Sequence, residues 1–158
     1  MIRIGQGIDV HPFETARPLV LGGLKIADRD GLAGHSDADA VLHAITDALL
    51  GAVAAGDIGV YFPSDDPKWK GAASATFVRE ALRVVAERGF ALANVDVTIV
   101  AERPKLAPHR EAICASIAAL LEIGVDRVSV KATTTDHLGF PGRGEGIAVF
   151  AVVLVESR

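Results

Sequence analysis

The sequence predicts a single α/β domain, α+β-like in organisation, with a mixed β-sheet and helices covering one of its faces. Three observations carry this. Val95 to Val100, Val128 to Thr133 and Ile147 to Val155 are rich in β-branched residues, as strands are. They alternate with Ala- and Leu-rich runs whose apolar residues recur at helical spacing. A chain of 158 residues buries one core and leaves no room for a second, so residues 1–158 are expected to form one domain.

In chain order, Ile2 to His11 reads as a strand. Leu19-Val20-Leu21 and Leu24-Lys25-Ile26 flank the pair Gly22-Gly23, a hairpin signal. From Asp37 to about Ala55 the chain lacks Pro, and Ser36 or Asp37 is expected to cap this first long helix. A second helix is expected from about Ser74 to Arg88, with Phe77, Ala81, Leu82, Val85 and Ala86 on one side and Gly89 as its stop. A third opens at Pro108 and closes at Gly124. The stretches 57–71, 102–108 and 135–146 are irregular, and long loops in compact domains are often functional. No repeat, linker or low-complexity tract divides the chain.

Charge narrows the function classes. A net charge of -4 leaves no basic field for nucleic acid or for an acidic membrane surface, so a phosphate ligand must be met by local groups. Cys114 is the one cysteine and lies in an apolar helical pattern, which predicts a buried structural thiol. Met1 to Gln6 turn polar too early for a secretory signal, and the apolar run Ile147 to Val155 is far short of the ~20 residues of a membrane helix. A cytoplasmic location is expected.

The chemistry-bearing residues begin in the first strand. A period of two puts Asp9 and His11 on one face. On the first helix Asp39, His43 and Asp47 are spaced i, i+4, i+8, a polar stripe through apolar residues. If the stripe faces the strand, His43 joins Asp9 and His11 as a third ligand. One carboxylate and two imidazoles with an open fourth position is a donor set zinc takes in catalytic sites. The bland alternative is the solvated side of an amphipathic helix. His35-Ser36-Asp37 at the start of the same helix would favour an anion beside the metal, or serve simply as an N-cap.

No Walker loop is present, and the glycines from 139 to 146 precede a strand rather than a helix, which argues against a dinucleotide fold. Instead the strand Val128 to Ala132 runs into Thr133-Thr134-Thr135-Asp136, hydroxyls that can bind phosphate oxygens and a carboxylate that can share a Mg²⁺ with them. Arg143 stands in a glycine-rich stretch where it can also pair with Glu145. Asp57-Ile58-Gly59 and Phe62-Pro63-Ser64-Asp65-Asp66 form an acidic loop after the metal helix, or solvated turns.

Taken together, Asp9-Val10-His11, His35 to Asp39, His43 to Asp47, Gly56 to Gly59, Asn94 to Asp96, Pro104 to Leu106, Lys131 to Thr135 and Gly142 to Gly146 resemble the 2-C-methyl-D-erythritol 2,4-cyclodiphosphate synthase family, in order and nearly end to end. The resemblance implies a lyase of the non-mevalonate isoprenoid pathway. In its reaction the 2-phosphate of 4-diphosphocytidyl-2-C-methyl-D-erythritol 2-phosphate attacks the β-phosphorus of the CDP group, CMP leaves, and a cyclic diphosphate forms. Nucleophile and leaving group both belong to the substrate, so the protein's work is positioning and charge stabilisation.

By the same resemblance Asp9, His11 and His43 hold one Zn²⁺ per subunit, and a Mg²⁺ or Mn²⁺, with Asp136 as a ligand, accompanies the substrate diphosphate. His35 and Thr134 stabilise the transition state. Asp9, Val10, His11, His35, Ser36, Asp57, Ile58, Gly59, Phe62, Pro63, Ser64, Asp65 and Asp66 surround the methylerythritol phosphate. Ala101, Glu102, Arg103, Pro104, Lys105, Leu106 and Ala107, with Ala132, Thr133, Thr134, Thr135 and Asp136, hold cytidine and its phosphates. A homotrimer with active sites between subunits is implied, and an isoprenoid diphosphate channel on its axis near Phe140 and Arg143. Two departures stand out: Ile8, where many relatives carry an aromatic residue, and Asp136, where the family usually has Glu. Some relatives are fused to a cytidylyltransferase domain, for which this chain is expected to have no room. The competing readings are a zinc hydrolase with Asp57 or Asp65 as general base, and a non-catalytic sensor of nucleotide or isoprenoid diphosphate.

Overall fold

Between Ile2 and Glu14 apolar or bulky residues alternate with small or functional ones, and the computed structural model, which describes residues 1–158, makes this stretch one strand, β1 (Ile2–Glu14). The chain continues through β2 (Leu19–Leu21), β3 (Leu24–Ala27), β4 (Gly31–Leu32), α1 (Ala40–Ala52), α2 (Ile58–Tyr61) and α3 (Ser74–Glu87). Then come β5 (Phe90–Val100), α4 (Arg110–Leu121), β6 (Val128–Thr133), α5 (Gly139–Gly142) and β7 (Gly146–Ser157). The main sheet has the order β4-β1-β7-β5-β6, with β5 and β6 parallel and the other pairs antiparallel. It is therefore mixed, as expected. The β2-β3 hairpin stands apart, turning at Gly22 and Gly23, whose φ values of 65° and 79° suit the turn that matches strand twist.

Several expected boundaries move. The first helix starts at Ala40, and its cap is Asp39, whose side chain accepts from the Leu42 N–H at 3.1 Å; neither Ser36 nor Asp37 caps it. Ala38 just before it has a φ of 56°, a left-handed conformation that helices do not contain. The strand expected from Val95 begins at Phe90, because the turn at Gly89 delivers the chain directly beside β7, where Phe90 pairs with Ser157. The third helix begins at Arg110 after a 3₁₀ turn over Ala107–His109 and ends at Leu121, where Glu122 turns left-handed. Cys114 is partly exposed rather than buried, packing at the margin of the core. The three irregular stretches hold only short pieces: α2, the 3₁₀ turns over Pro67–Trp69 and Ala107–His109, and α5.

The core fills one side of the sheet. Val95, Val97, Ile99, Val149 and Val153 meet Ile45 and Leu49 of α1, Val78 and Val85 of α3, and Ile113 and Ile117 of α4. Burying each such side chain stabilises the fold by about 1.5–3 kcal/mol. β1 contributes almost no bulk here. Its inward residues Gly5 and Gly7 let α1 lie in backbone contact, since a Cβ at Gly7 would fall 2.0 Å from the Ala44 carbonyl oxygen. The opposite face of the sheet is bare of helices and carries Ile2, Ile4, Ile8, Val10, Phe150 and Val152, with Ile4 67% exposed.

Candidate metal centre and phosphate sites

The close approach of α1 to β1 sets the geometry of the site. Gly5, Gly7, Asp9 and His11 share one face of β1, and the same stretch of α1 that touches Gly7 carries His43. Asp9 Oδ2 lies 2.8 Å from His11 Nε2 and 3.3 Å from His43 Nδ1, and the two ring nitrogens are 3.3 Å apart. These residues form the one group of His, Cys, Asp and Glu side chains whose donor atoms converge closely enough to hold a metal ion.

The donor set fits a metal on two counts. Tetrahedral zinc with bonds near 2.05 Å has ligand–ligand edges of about 3.3 Å, close to this triangle. Moreover, each histidine has its outer nitrogen engaged. His11 Nδ1 donates to the Ala33 carbonyl at 2.6 Å, and His43 Nε2 faces the Ser74 hydroxyl at 2.8 Å and the Ser36 hydroxyl at 3.1 Å. His11 Nε2 is thereby left with a lone pair toward the buried Asp9 Oδ2, which has no hydrogen-bond partner of its own, while the tautomer of His43 is set by which way its hydroxyl partners point. Burial alone would push the Asp9 carboxyl up, but the imidazoles of His11 and His43 hold it below its ordinary value. Burial likewise opposes charge on His11, and Asp9 beside it outweighs that, raising its pKa.

The polar stripe on α1 divides its tasks. His43 faces the site, whereas Asp39 is buried completely and accepts from the backbone N–H groups of Gly22, Gly23 and Leu42 at 2.9, 2.6 and 3.1 Å. Burial pushes its carboxyl up to about 6 against those three donors. The expected anion position at this helix start is thus filled by Asp39 itself. Asp47 accepts from the Ile58 N–H at 2.7 Å and so anchors Asp57-Ile58-Gly59 beside the metal donors. Burial raises its pKa also.

A cavity of about 300 Å³ opens on the metal donors and is lined by Asp9, His11, His35, Ser36, His43, Ile58, Gly59, Phe62, Ser64, Trp69 and Phe77. Of the residues expected around the methylerythritol phosphate, Val10, Asp57, Pro63, Asp65 and Asp66 are not among those lining it. Val10 points to the bare face of the sheet, Asp57 caps α2 and Asp66 caps the turn over Pro67–Trp69. Trp69 and Phe77 were not legible as site residues; both pack on Phe62, Trp69 edge-on and Phe77 with its ring centre 4.4 Å away. The sequence around Ser74 signals only a helix start.

The expected cytidine elements gather elsewhere. Leu106, Ala107 and Ala132 line a separate cavity of about 160 Å³ with Arg110, Ile113 and Val130, and it shares no residue with the first. Lys105 is exposed nearby in the chain. The turn after β6 is organised by Glu102, whose Oε1 accepts from the N–H groups of Thr135 and His137 at 3.2 and 3.1 Å. It holds Asp136 and His137 in left-handed conformations and leaves Thr134 and Asp136 exposed. Ala101 is buried, and Arg103 stacks on the Phe13 ring at 4.1 Å. Arg143 pairs with Glu145 at 2.8 Å while Phe140 is half-buried beside it on α5. No helix is long and apolar enough to cross a membrane.

Comparison with known proteins follows the same outline. The YgbB family matches residues 2–156. A 2-C-methyl-D-erythritol 2,4-cyclodiphosphate synthase of Vibrio campbellii is 56% identical over 155 residues, 98% of either chain. A solved 2C-methyl-D-erythritol-2,4-cyclodiphosphate synthase with CDP bound superposes with a TM-score of 0.89 at 44% identity, covering 98% of this chain and 100% of the other. The bifunctional IspDF of Campylobacter jejuni gives a TM-score of 0.97 at 44% identity over the whole of this chain, which spans 43% of that longer protein.

Proposed function

The chain belongs to the YgbB family of 2-C-methyl-D-erythritol 2,4-cyclodiphosphate synthases, and from this premise we infer how its residues carry out that reaction. The protein is a lyase of isoprenoid precursor synthesis that forms 2-C-methyl-D-erythritol 2,4-cyclodiphosphate. The observation that carries the mechanism is the donor triangle of Asp9, His11 and His43, with both outer ring nitrogens already engaged. These three residues would hold zinc, which when bound supplies a positive charge that polarises a phosphate oxygen at its open position.

The remaining steps belong to the chain's own groups. His35 and Ser36, which line the same cavity, bind the 2-phosphate and orient it for attack, His35 also stabilising the transition state, and Ile58, Gly59, Phe62 and Ser64 enclose the methylerythritol part, with Asp57, Pro63, Asp65 and Asp66 flanking them in the same loops. Asp47 holds the first of these loops in place through Ile58. Ala101 to Ala107 and Ala132 to Asp136 bind cytidine and its phosphates, Lys105 offsetting negative charge and the Thr134 hydroxyl donating a hydrogen bond that stabilises the transition state as CMP departs. Asp136 would help to hold the Mg²⁺ or Mn²⁺ that accompanies the diphosphate, which would offset its negative charge.

Two observations support a homotrimer with shared sites. The bare sheet face exposes a contiguous set of large apolar side chains, which a monomer would leave in water. The metal cavity and the cytidine cavity lie apart within one chain, so a CDP-linked substrate spanning both is best served by two subunits. Phe140 and Arg143 then border the three-fold axis, where an isoprenoid diphosphate would bind, and the enzyme works in the cytoplasm on a small-molecule substrate. The test is product analysis with 4-diphosphocytidyl-2-C-methyl-D-erythritol 2-phosphate, zinc and magnesium. CMP with a cyclic diphosphate is expected; CMP with an open-chain phosphate would replace this mechanism by hydrolysis.

A further inference from the structure

The metal ligand His43 is backed by an arrangement that its own helix does not supply. Its Nε2 lies 2.8 Å from the hydroxyl of Ser74, the first residue of α3, which is completely buried. The Ser74 hydroxyl in turn donates a hydrogen bond to Asp37 Oδ1. A hydroxyl has one proton, and this one is committed to the carboxylate, so only lone pairs remain to face the imidazole. His43 must then carry its proton on Nε2, leaving the Nδ1 lone pair toward Asp9 and His11.

We propose that Asp37 and Ser74 are positioning residues for the metal site, a carboxylate–hydroxyl–imidazole relay that fixes the tautomer and ring orientation of His43. The proposal rests on the zinc reading given above. Asp37 is suited to the part because both its oxygens are engaged from fixed backbone: Oδ2 accepts from the Ser74 N–H at 3.1 Å and Oδ1 from the Asp39 N–H at 3.2 Å. The same carboxylate therefore satisfies the start of α3, whose own N-cap position, Ala73, offers no side-chain acceptor. Ser36 is a weaker candidate for the role, at 3.1 Å from Nε2 and with its oxygen also accepting from the Ala38 N–H at 3.2 Å. The relay ties three separate segments to the metal donors: the turn before α1, α1 itself, and the start of α3.

Outer partners of metal-bound histidines commonly account for about 10–100-fold in metal affinity. The test measures zinc affinity by chelator competition, with circular dichroism and thermal melting alongside, for Ser74→Ala, Asp37→Ala and the double variant. Ser74→Ala should bind zinc about 10–100-fold more weakly with an unchanged fold. In the Ser74→Ala background, Asp37→Ala should weaken zinc binding little further, because it acts through the lost hydroxyl, yet it should still lower the melting temperature through the start of α3. In the metal-free protein, ¹⁵N NMR of the neutral His43 ring should show the Nε2–H tautomer in the parent and a mixture in Ser74→Ala. Parent-like zinc affinity and an unchanged tautomer in Ser74→Ala would overturn the relay. Stoichiometric zinc in His43→Ala would instead overturn the metal assignment beneath it.

Discussion

Replacing Gly7 by alanine tests whether backbone contact between β1 and α1 sets the metal geometry. The added Cβ would fall 2.0 Å from the Ala44 carbonyl oxygen and 2.8 Å from the Ala48 nitrogen, both backbone atoms of α1. An ordinary C···O contact is about 3.3 Å, so α1 must retreat by roughly 1.3 Å. His43 precedes Ala44 and moves with it, while Asp9 and His11 stay on β1. The two His43 edges of the donor triangle, each 3.3 Å, would then open toward ~4.6 Å, beyond what zinc bonds near 2.05 Å span. Metal sites tolerate about 0.2 Å, so zinc affinity should fall by at least the ~100-fold scale of outer-partner losses. Overpacking should also cost about 1–3 kcal/mol of stability. Gly51→Ala is the matched control. Its Cβ would meet only the Gln6 oxygen, at 3.9 Å, and alanine in a helix should stabilise by ~1 kcal/mol with zinc binding unchanged. Chelator competition and thermal melting read both variants. A folded Gly7→Ala protein whose zinc affinity lies within threefold of the parent would refute the reasoning.

Four further outcomes follow from the site. His43→Ala should abolish zinc binding and turnover and leave the circular dichroism spectrum intact, as the ligand role proposed for the ring requires; metal content decides it. Asp39→Asn places an amide donor against one of three backbone N–H groups, which should cost about 1–3 kcal/mol in denaturant unfolding. Mixed trimers of His43→Ala and Lys105→Ala subunits should regain activity above the sum of the two parents, and activity no greater than that sum would argue against a shared site. Asp136→Asn should raise the magnesium concentration for half-maximal activity with zinc content unchanged, and Asp136→Glu should lower it; superimposable titrations would remove Asp136 from the magnesium site.

The sequence by itself determined what is local and periodic. The alternation in Ile2 to His11, the glycine pair of the hairpin, and the helical spacing of Asp39, His43 and Asp47 already distribute residues among faces, because the periods of strand and helix are properties of the backbone. From these the sheet, the long helices and the candidate metal donors could be read. Tertiary structure decided what depends on distant segments meeting. That Asp39 turns away from the metal to bind Gly22 and Gly23, and that α1 starts later than expected, follows from where the hairpin lands on the helix start. That Ser74 and Asp37 stand behind His43 follows from the entry of α3 beside α1. Neither contact leaves a periodic trace, because each pairs a turn residue with a partner far along the chain, and hydrogen bonds between such residues are fixed only when the core closes. The glycines of β1 lie between the two cases: their alternation is plain in the sequence, but that they are there to admit a helix backbone is visible only once α1 lies against them.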